Sequence, residues 1–352
     1  MAHFDAILFL SFGGPDGPQD VRPFLENVTR GRGVPPERLD EVAQHYLHFD
    51  GVSPINRLNV EMIDRLRAQL RSADIDLPVY FGNRNWHPLA EDAVGSMAAA
   101  GHHEILVFTT SAWGGYSGCR QYDEDIARAL VANPWAELTM RKLPHYWNHP
   151  LFIAACADAV RAARDSLPVA QRDGARVVFT AHSVPQAADK AAGTPASGGQ
   201  LYSRQIADAS AQVAAMCGVT DFDQVWQSRS GPPQVPWLEP DIVDHLDDLV
   251  ARGSVAPGDG AVIVCPIGFV SDHLEVVWDL DNEARERAAE LGIGFVRAAT
   301  VGEDPRFVEM IVDLVAAQLA GRDDTAPGVT VNGMPCAAGC CEPVRRPATR
   351  KR

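Results

Sequence analysis

The chain has no long uncharged apolar run, which excludes a membrane-spanning helix, since that needs about 20 consecutive apolar residues. It has no basic excess either: 31 Lys and Arg stand against 46 Asp and Glu, a formal net charge of -15. Phosphate-binding surfaces need basic patches, so nucleic acid is excluded as a partner class. The amino terminus, MAHFDAILFLSFGGPDG, lacks a basic n-region and its apolar run is strand-sized, so no signal peptide or transmembrane segment is expected and the chain reads as cytoplasmic. The full G-x-G-x-x-G pattern is missing at Phe12-Gly13-Gly14-Pro15, which argues against a dinucleotide site. Cysteine is sparse, and in a reducing cytosol the 7 residues present are not a disulfide framework.

What is present is a globular chain of 352 residues with 46% hydrophobic content, long enough for two domains. Short apolar runs alternate with helical segments along the whole length, giving an α/β class with parallel sheets. Strands are expected at 5–11, 78–82, 104–110, 138–140, 176–180, 224–227, 261–265 and 294–297. The expected divisions are a first lobe over 1–168, a second over 169–303, a terminal helix within 304–321 and a basic tail over 322–352 that holds cysteines. Val178-Phe179-Thr180 echoes Val107-Phe108-Thr109, a faint hint of duplication.

The chemistry concentrates at 261–283. Ala261 to Cys265 reads as a strand, Pro266 ends its ladder, and a helix capped by Ser271 or Asp272 follows. On that helix Glu275, Asp279 and Glu283 fall at i, i+4 and i+8, placing three carboxylates on one face, whether as a solvated stripe or as hard oxygen ligands in file for a divalent cation. His182 is expected just past a parallel strand, where open α/β sheets carry their sites. Arg30 lies in the basic loop 29–33, and Ser53 precedes a proline, where it either caps the next helix or donates to a carboxylate. Tyr122, with Arg120 and Gln121, can frame a flat apolar ligand with polar edges.

The tail holds Cys336, Cys340 and Cys341 within six residues, a spacing that suits a metal. A four-coordinate site needs one more thiolate, for which Cys156 and Cys119 both stand as candidates. Otherwise the tail reads as disordered.

Ser11-Phe12-Gly13-Gly14-Pro15, Gly51-Val52-Ser53-Pro54-Ile55, Ala181-His182-Ser183-Val184-Pro185 and Pro266-Ile267-Gly268-Phe269-Val270-Ser271-Asp272-His273-Leu274-Glu275 together resemble the ferrochelatases. The likeness runs from about Asp5 to Leu319 and is closest to the soluble coproporphyrin-using branch. It implies two similar Rossmann-like lobes with a porphyrin cleft between them, and insertion of Fe2+ into coproporphyrin III with release of two protons. Insertion into protoporphyrin IX, or tetrapyrrole binding and delivery without catalysis, are the alternatives. By the same matching His182 and Glu275 face each other across the porphyrin and bind the incoming iron, with His182 as base, while Asp279 and Glu283 continue an iron path. Phe12, Ser53 and Tyr122 contact the porphyrin, with Arg30 and Tyr46 near its propionates. Phe12 stands where this branch often has a tyrosine, and His45 where an arginine is frequent. Some members carry a [2Fe-2S] cluster, and Cys156 with Cys336, Cys340 and Cys341 resembles its ligand set. Further partners would be transient haem-pathway proteins.

Overall fold

The computed structural model describes residues 3–31, 33–231, 234–322 and 326–344. Arg32 and the basic run 345–352 lie outside the described residues. The first sheet is built from β1 (Ala6–Ser11), β2 (Val79–Asn83), β3 (Glu104–Thr109) and β4 (Thr139–Lys142); the second from β5 (Arg176–His182), β6 (Phe222–Gln227), β7 (Ala261–Cys265) and β8 (Gly294–Arg297). All pair in parallel, in the orders β2-β1-β3-β4 and β6-β5-β7-β8. The two orders are the same, second-first-third-fourth, so the lobes share one topology. β5 therefore corresponds to β1, not β3, and the Val-Phe-Thr echo joins strands in non-equivalent places.

Side-chain alternation sorts the strands onto two faces. Ile7 and Phe9 of β1, with Val177, Phe179 and Ala181 of β5, enter one core that continues through both lobes by way of Met62, Phe152 and Phe307. Ala6, Leu8 and Leu10 face outward onto helices Ala90–Ala99 and Gln121–Ala132. Val178, Val262 and Val264 face outward onto helix Ile242–Ala251 and the acidic helix beyond β7. Helix Pro150–Ser166, capped by the His149 ring, packs on β7 and β8, and helix Pro305–Leu319, capped by Asp304, lies against it and against helix Ile55–Ser72.

The structure departs from the sequence reading in three places that matter. β5 runs on to His182 itself, so the histidine ends the strand instead of following it. The acidic helix is wider than an α-helix over Val277–Ala284, a π-helical stretch of the kind found at functional sites. Its cap position is His273, and Asp272 instead makes a bidentate pair with Arg297, 2.9 Å at each nitrogen. The tail also contributes a short strand, β9 (Thr330–Val331), antiparallel to β4.

Helices Pro18–Val28 and Pro36–Leu47 form a hairpin with its own small core, Phe24, Leu25, Leu39, Ala43 and Tyr46, and that core takes in Leu274 of the second lobe. Each helix begins with proline in its first turn, where the missing N–H costs nothing. Among the described residues no helix is long and apolar enough to cross a membrane.

Candidate active site

The loops leaving β3 and β7 touch where the lobes meet: Trp113 Nε1 donates to the Gly268 carbonyl at 3.0 Å. Gly268 must be glycine there, because a Cβ would lie 2.6 Å from the Cα of Ala181. That close approach sets the β7 loop against the end of β5 and brings Glu275 to His182.

His182 Nδ1 lies 2.5 Å from the Ser183 carbonyl oxygen. A carbonyl only accepts, so Nδ1 carries the hydrogen of the neutral ring and Nε2 keeps its lone pair. Nε2 is 3.8 Å from Glu275 Oε2, and both side chains are half-exposed, at 36% and 41%. The resemblance implies that these two face each other across a porphyrin; in the structure they lie within direct reach of one another. A flat ring needs about 3.5 Å of contact on each face, so the 3.8 Å gap is narrower than the width a macrocycle between them would take. They stand side by side and offer a nitrogen and a carboxylate to the same space.

Asp279 lies one turn on, accepting from Ser228 Oγ and, at 3.2 Å, from Gln227 Nε2. Burial first, with Glu275 and Glu283 adding repulsion, pushes its carboxyl up to about 7. Glu283 is exposed. The row thus runs from solvent at Glu283, through a half-buried carboxyl that holds a proton near neutrality, to Glu275 beside His182. His273 is half-buried next to the pair, and its loss of solvent lowers its pKa below the usual imidazole range.

Ser53 packs against the glycine turn after β1: a Cβ on Gly14 would sit 2.6 Å from Ser53 Cβ. Ser53 is not the helix cap; Pro54 occupies that position and no side chain caps it. Phe12 is half-buried on the hairpin core, edge-on to Phe24 with centroids 6.3 Å apart. Tyr122 is buried, its hydroxyl 3.4 Å from Thr110 Oγ1, which donates to Ser11 Oγ. Tyr46 is buried beside the acidic row, so burial, then Glu275 and Asp279, raise its phenol well above the ordinary value. Arg30 is exposed at the end of the hairpin's first helix. His45 stacks on Trp278, centroids 4.0 Å apart and 7° from parallel, joining the hairpin to the acidic helix.

The sequence reading passes over Arg84. Its guanidinium is 4.2 Å from the Tyr122 ring centre and pairs with Asp125 at 2.5 Å, both side chains buried. Position was the available signal: Arg84-Asn85-Trp86 follows β2 directly, at the ligand-binding edge of an α/β sheet. Ser228 and Gln227 were equally silent, because nothing local marks them as partners of Asp279.

The structure gathers the tail cysteines but not with Cys156. Cys340 Sγ is 3.1 Å from Cys336 Sγ and 3.7 Å from Cys341 Sγ. Cys156 is buried in the shared core with Cys265 and Cys217 as its nearest thiols. The buried thiol near Cys341 is Cys119, which accepts from Lys142 Nζ at 3.2 Å. Two thiolates on one tetrahedral ion with bonds of about 2.3 Å lie about 3.8 Å apart. The Cys340–Cys341 spacing meets that and the Cys336–Cys340 spacing is tighter; among the described residues no three such ligands converge on a single metal-sized point.

Known proteins resemble this chain along nearly its whole length. The family profile Ferrochelatase matches residues 4–319. The chain is 63% identical to the coproporphyrin III ferrochelatase of Nocardia farcinica, over 99% of each chain, and 57% identical to that of Mycobacteroides abscessus, over 96% of this chain and 98% of the other. Among solved structures, SirB from Bacillus subtilis with Fe3+ shares the fold at TM-score 0.56 and 11% identity, over 91% of this chain and 97% of SirB. With a profile covering nearly all of its two lobes and relatives this similar over their full length, the chain belongs to the ferrochelatase family.

Proposed function

We propose that this chain inserts Fe2+ into coproporphyrin III, releasing two protons and giving Fe-coproporphyrin. The observation that carries the reading is the full-length 63% identity to a curated coproporphyrin III ferrochelatase. The His182–Glu275 pair supplies the chemistry this reaction requires. Placing Fe2+ among four pyrrole-type nitrogens expels two protons, so the site needs a base near neutrality beside a ligand that yields its metal. His182 Nε2, with its lone pair free, takes a pyrrole proton, and Glu275 holds the hydrated cation next to it. Both act from one side of the macrocycle, a reading that their 3.8 Å separation supports.

Asp279 and Glu283 pass iron inward. A carboxyl that sheds its proton near neutrality can exchange it for a cation without leaving a bare buried charge. Phe12, Ser53 and Tyr122 bound the ring, with Arg30 and Tyr46 toward its propionates. Arg84 fixes the Tyr122 ring face from below. The division into lobes at 1–168 and 169–303, with a returning helix to 321, belongs to the same proposal.

We further propose an iron-sulfur cluster at the tail, for which Cys119 in place of Cys156, with Cys336, Cys340 and Cys341, would supply four thiolates once drawn together. Lys142 would place a cation against the resulting negative charge. Bound there, a [2Fe-2S] group supplies a one-electron redox couple and ties the tail to the body.

The test is an anaerobic optical assay of purified protein with Fe2+, given coproporphyrin III in one cuvette and protoporphyrin IX in another. Free-base porphyrin shows four visible bands and the metallated ring two. Collapse to two bands, faster with coproporphyrin, is the expected result. A preference for protoporphyrin overturns the substrate, and four persistent bands in both cuvettes overturn insertion in favour of porphyrin binding alone.

A further inference from the structure

Cys336 and Cys340 are close enough to react with each other. Their sulfurs are 3.1 Å apart, whereas a disulfide is about 2.05 Å long, so closure takes a movement of about 1 Å. Cys336 is exposed and Cys340 is buried behind it. The loop between them is a tight turn, with the Cys340 N–H donating to the Ala337 carbonyl at 3.1 Å and Gly339 at φ 74°.

Cys341 is differently engaged. Its N–H donates to the Gly193 carbonyl at 3.1 Å, and its sulfur accepts from the Gly193 N–H at 3.2 Å. This two-way contact pins Cys341 to the second lobe, while β9 fixes the start of the tail to the first. Bonding between the adjacent residues Cys340 and Cys341 would also force the backbone between them out of shape, and Cys341 already stands at φ 51°. The free partner of Cys340 is therefore Cys336.

We propose that Cys336 and Cys340 form a reversible thiol–disulfide pair, oxidised by peroxide whenever the tail carries no metal. The exposed Cys336 sulfur attacks one peroxide oxygen and becomes a sulfenic acid as water leaves. The Cys340 sulfur then attacks the Cys336 sulfur; the S–S bond forms, the S–O bond breaks, and hydroxide departs with the Cys340 proton as a second water. Two thiols are oxidised and one peroxide is reduced to two waters. A dithiol reductant reverses it by exchange. The disulfide removes two thiolates from the tail, so oxidation and metal loading exclude one another. The pairing does not depend on the chelatase reading or on which metal the tail binds.

The experiment uses the full-length chain, reduced, freed of iron with a chelator, and exposed to hydrogen peroxide. The expected result is loss of two of the 7 titratable thiols, an intact mass lower by two hydrogens, and a linked peptide containing Cys336 and Cys340. Dithiothreitol should restore all of them. C336S, a change at an exposed position, should lose no pair while its circular dichroism stays unchanged. Seven alkylatable thiols after exposure, a link through Cys341 or another cysteine, or a pair that still forms in C336S would each overturn the proposal. The optical spectrum of the protein before chelation tests the iron-sulfur reading separately, so the two can fail independently.

Discussion

His182 Nε2 and Glu275 Oε2 lie 3.8 Å apart although they come from different βα units of the second lobe. The contact exists because Gly268 lets the β7 loop close onto Ala181, and because the Ser183 carbonyl turns the histidine ring so that Nε2 faces the carboxylate. A base and a metal ligand that share one small space act as a unit.

Replacing His182 with alanine should therefore lower the insertion rate by about 10²–10⁴-fold, the usual worth of a positioned general base. Porphyrin affinity, read by fluorescence quenching, should change little. Combining H182A with E275Q should cost much less than the product of the single effects. Equal loss of binding and insertion in H182A would assign the histidine to binding.

Asp279 makes the metal-free protein pH-sensitive in a stated direction. Its carboxyl titrates near 7 in the folded chain against an ordinary value near 3.8, so folding holds its proton more tightly. That contribution to stability is full at low pH and is lost as pH rises through about 7. D279N stays neutral throughout. Its stability relative to the parent should rise between about pH 4 and about pH 7 and level off above, as read from urea midpoints. A difference independent of pH would mean that Asp279 is ionised across the whole range.

Gly14 has no room for a side chain, since a Cβ would fall 2.6 Å from Ser53 Cβ and 2.9 Å from Ile55 Cγ2. G14A should cost about 1–3 kcal/mol of stability through overpacking. It should also weaken porphyrin binding by displacing Ser53. Porphyrin titration of the folded variant checks the second effect, and unchanged affinity would remove Ser53 from the binding surface.

The Lys142–Asp123 pair is 2.7 Å long with both side chains 2% exposed, and Asp123 also accepts from Thr330 Oγ1 of β9 at 2.6 Å. K142M leaves a buried carboxylate with only neutral donors and should cost about 3–5 kcal/mol. Adding D123N should recover much of that loss. Urea unfolding of the two variants in reducing buffer decides it; K142M as stable as the parent would show that the carboxylate is relieved in some other way.

Much of the architecture was legible in sequence because it is written locally. Helix Pro150–Ser166 and helix Pro305–Leu319 announce themselves by proline in the first turn and apolar periodicity, and β7 by an unbroken apolar run between breakers. The local pattern even marked His182 and the Glu275, Asp279, Glu283 row, since strand ends and helical spacing are both short-range facts. β9 was not legible: two residues have no periodicity, and only the open edge of β4 makes them a strand.

The sequence by itself determined the class of fold, the order of its elements and the residue types that meet at the carboxyl ends of β5 and β7. Tertiary structure alone decided that His182 and Glu275 stand side by side, that Gln227 and Ser228 hold Asp279, and that Cys119 rather than Cys156 lies near the tail. The physical reason is range. Propensity, capping and periodicity act over a few neighbouring residues, whereas a site distance depends on how closely two backbones approach, and here a glycine against an alanine from another strand sets it.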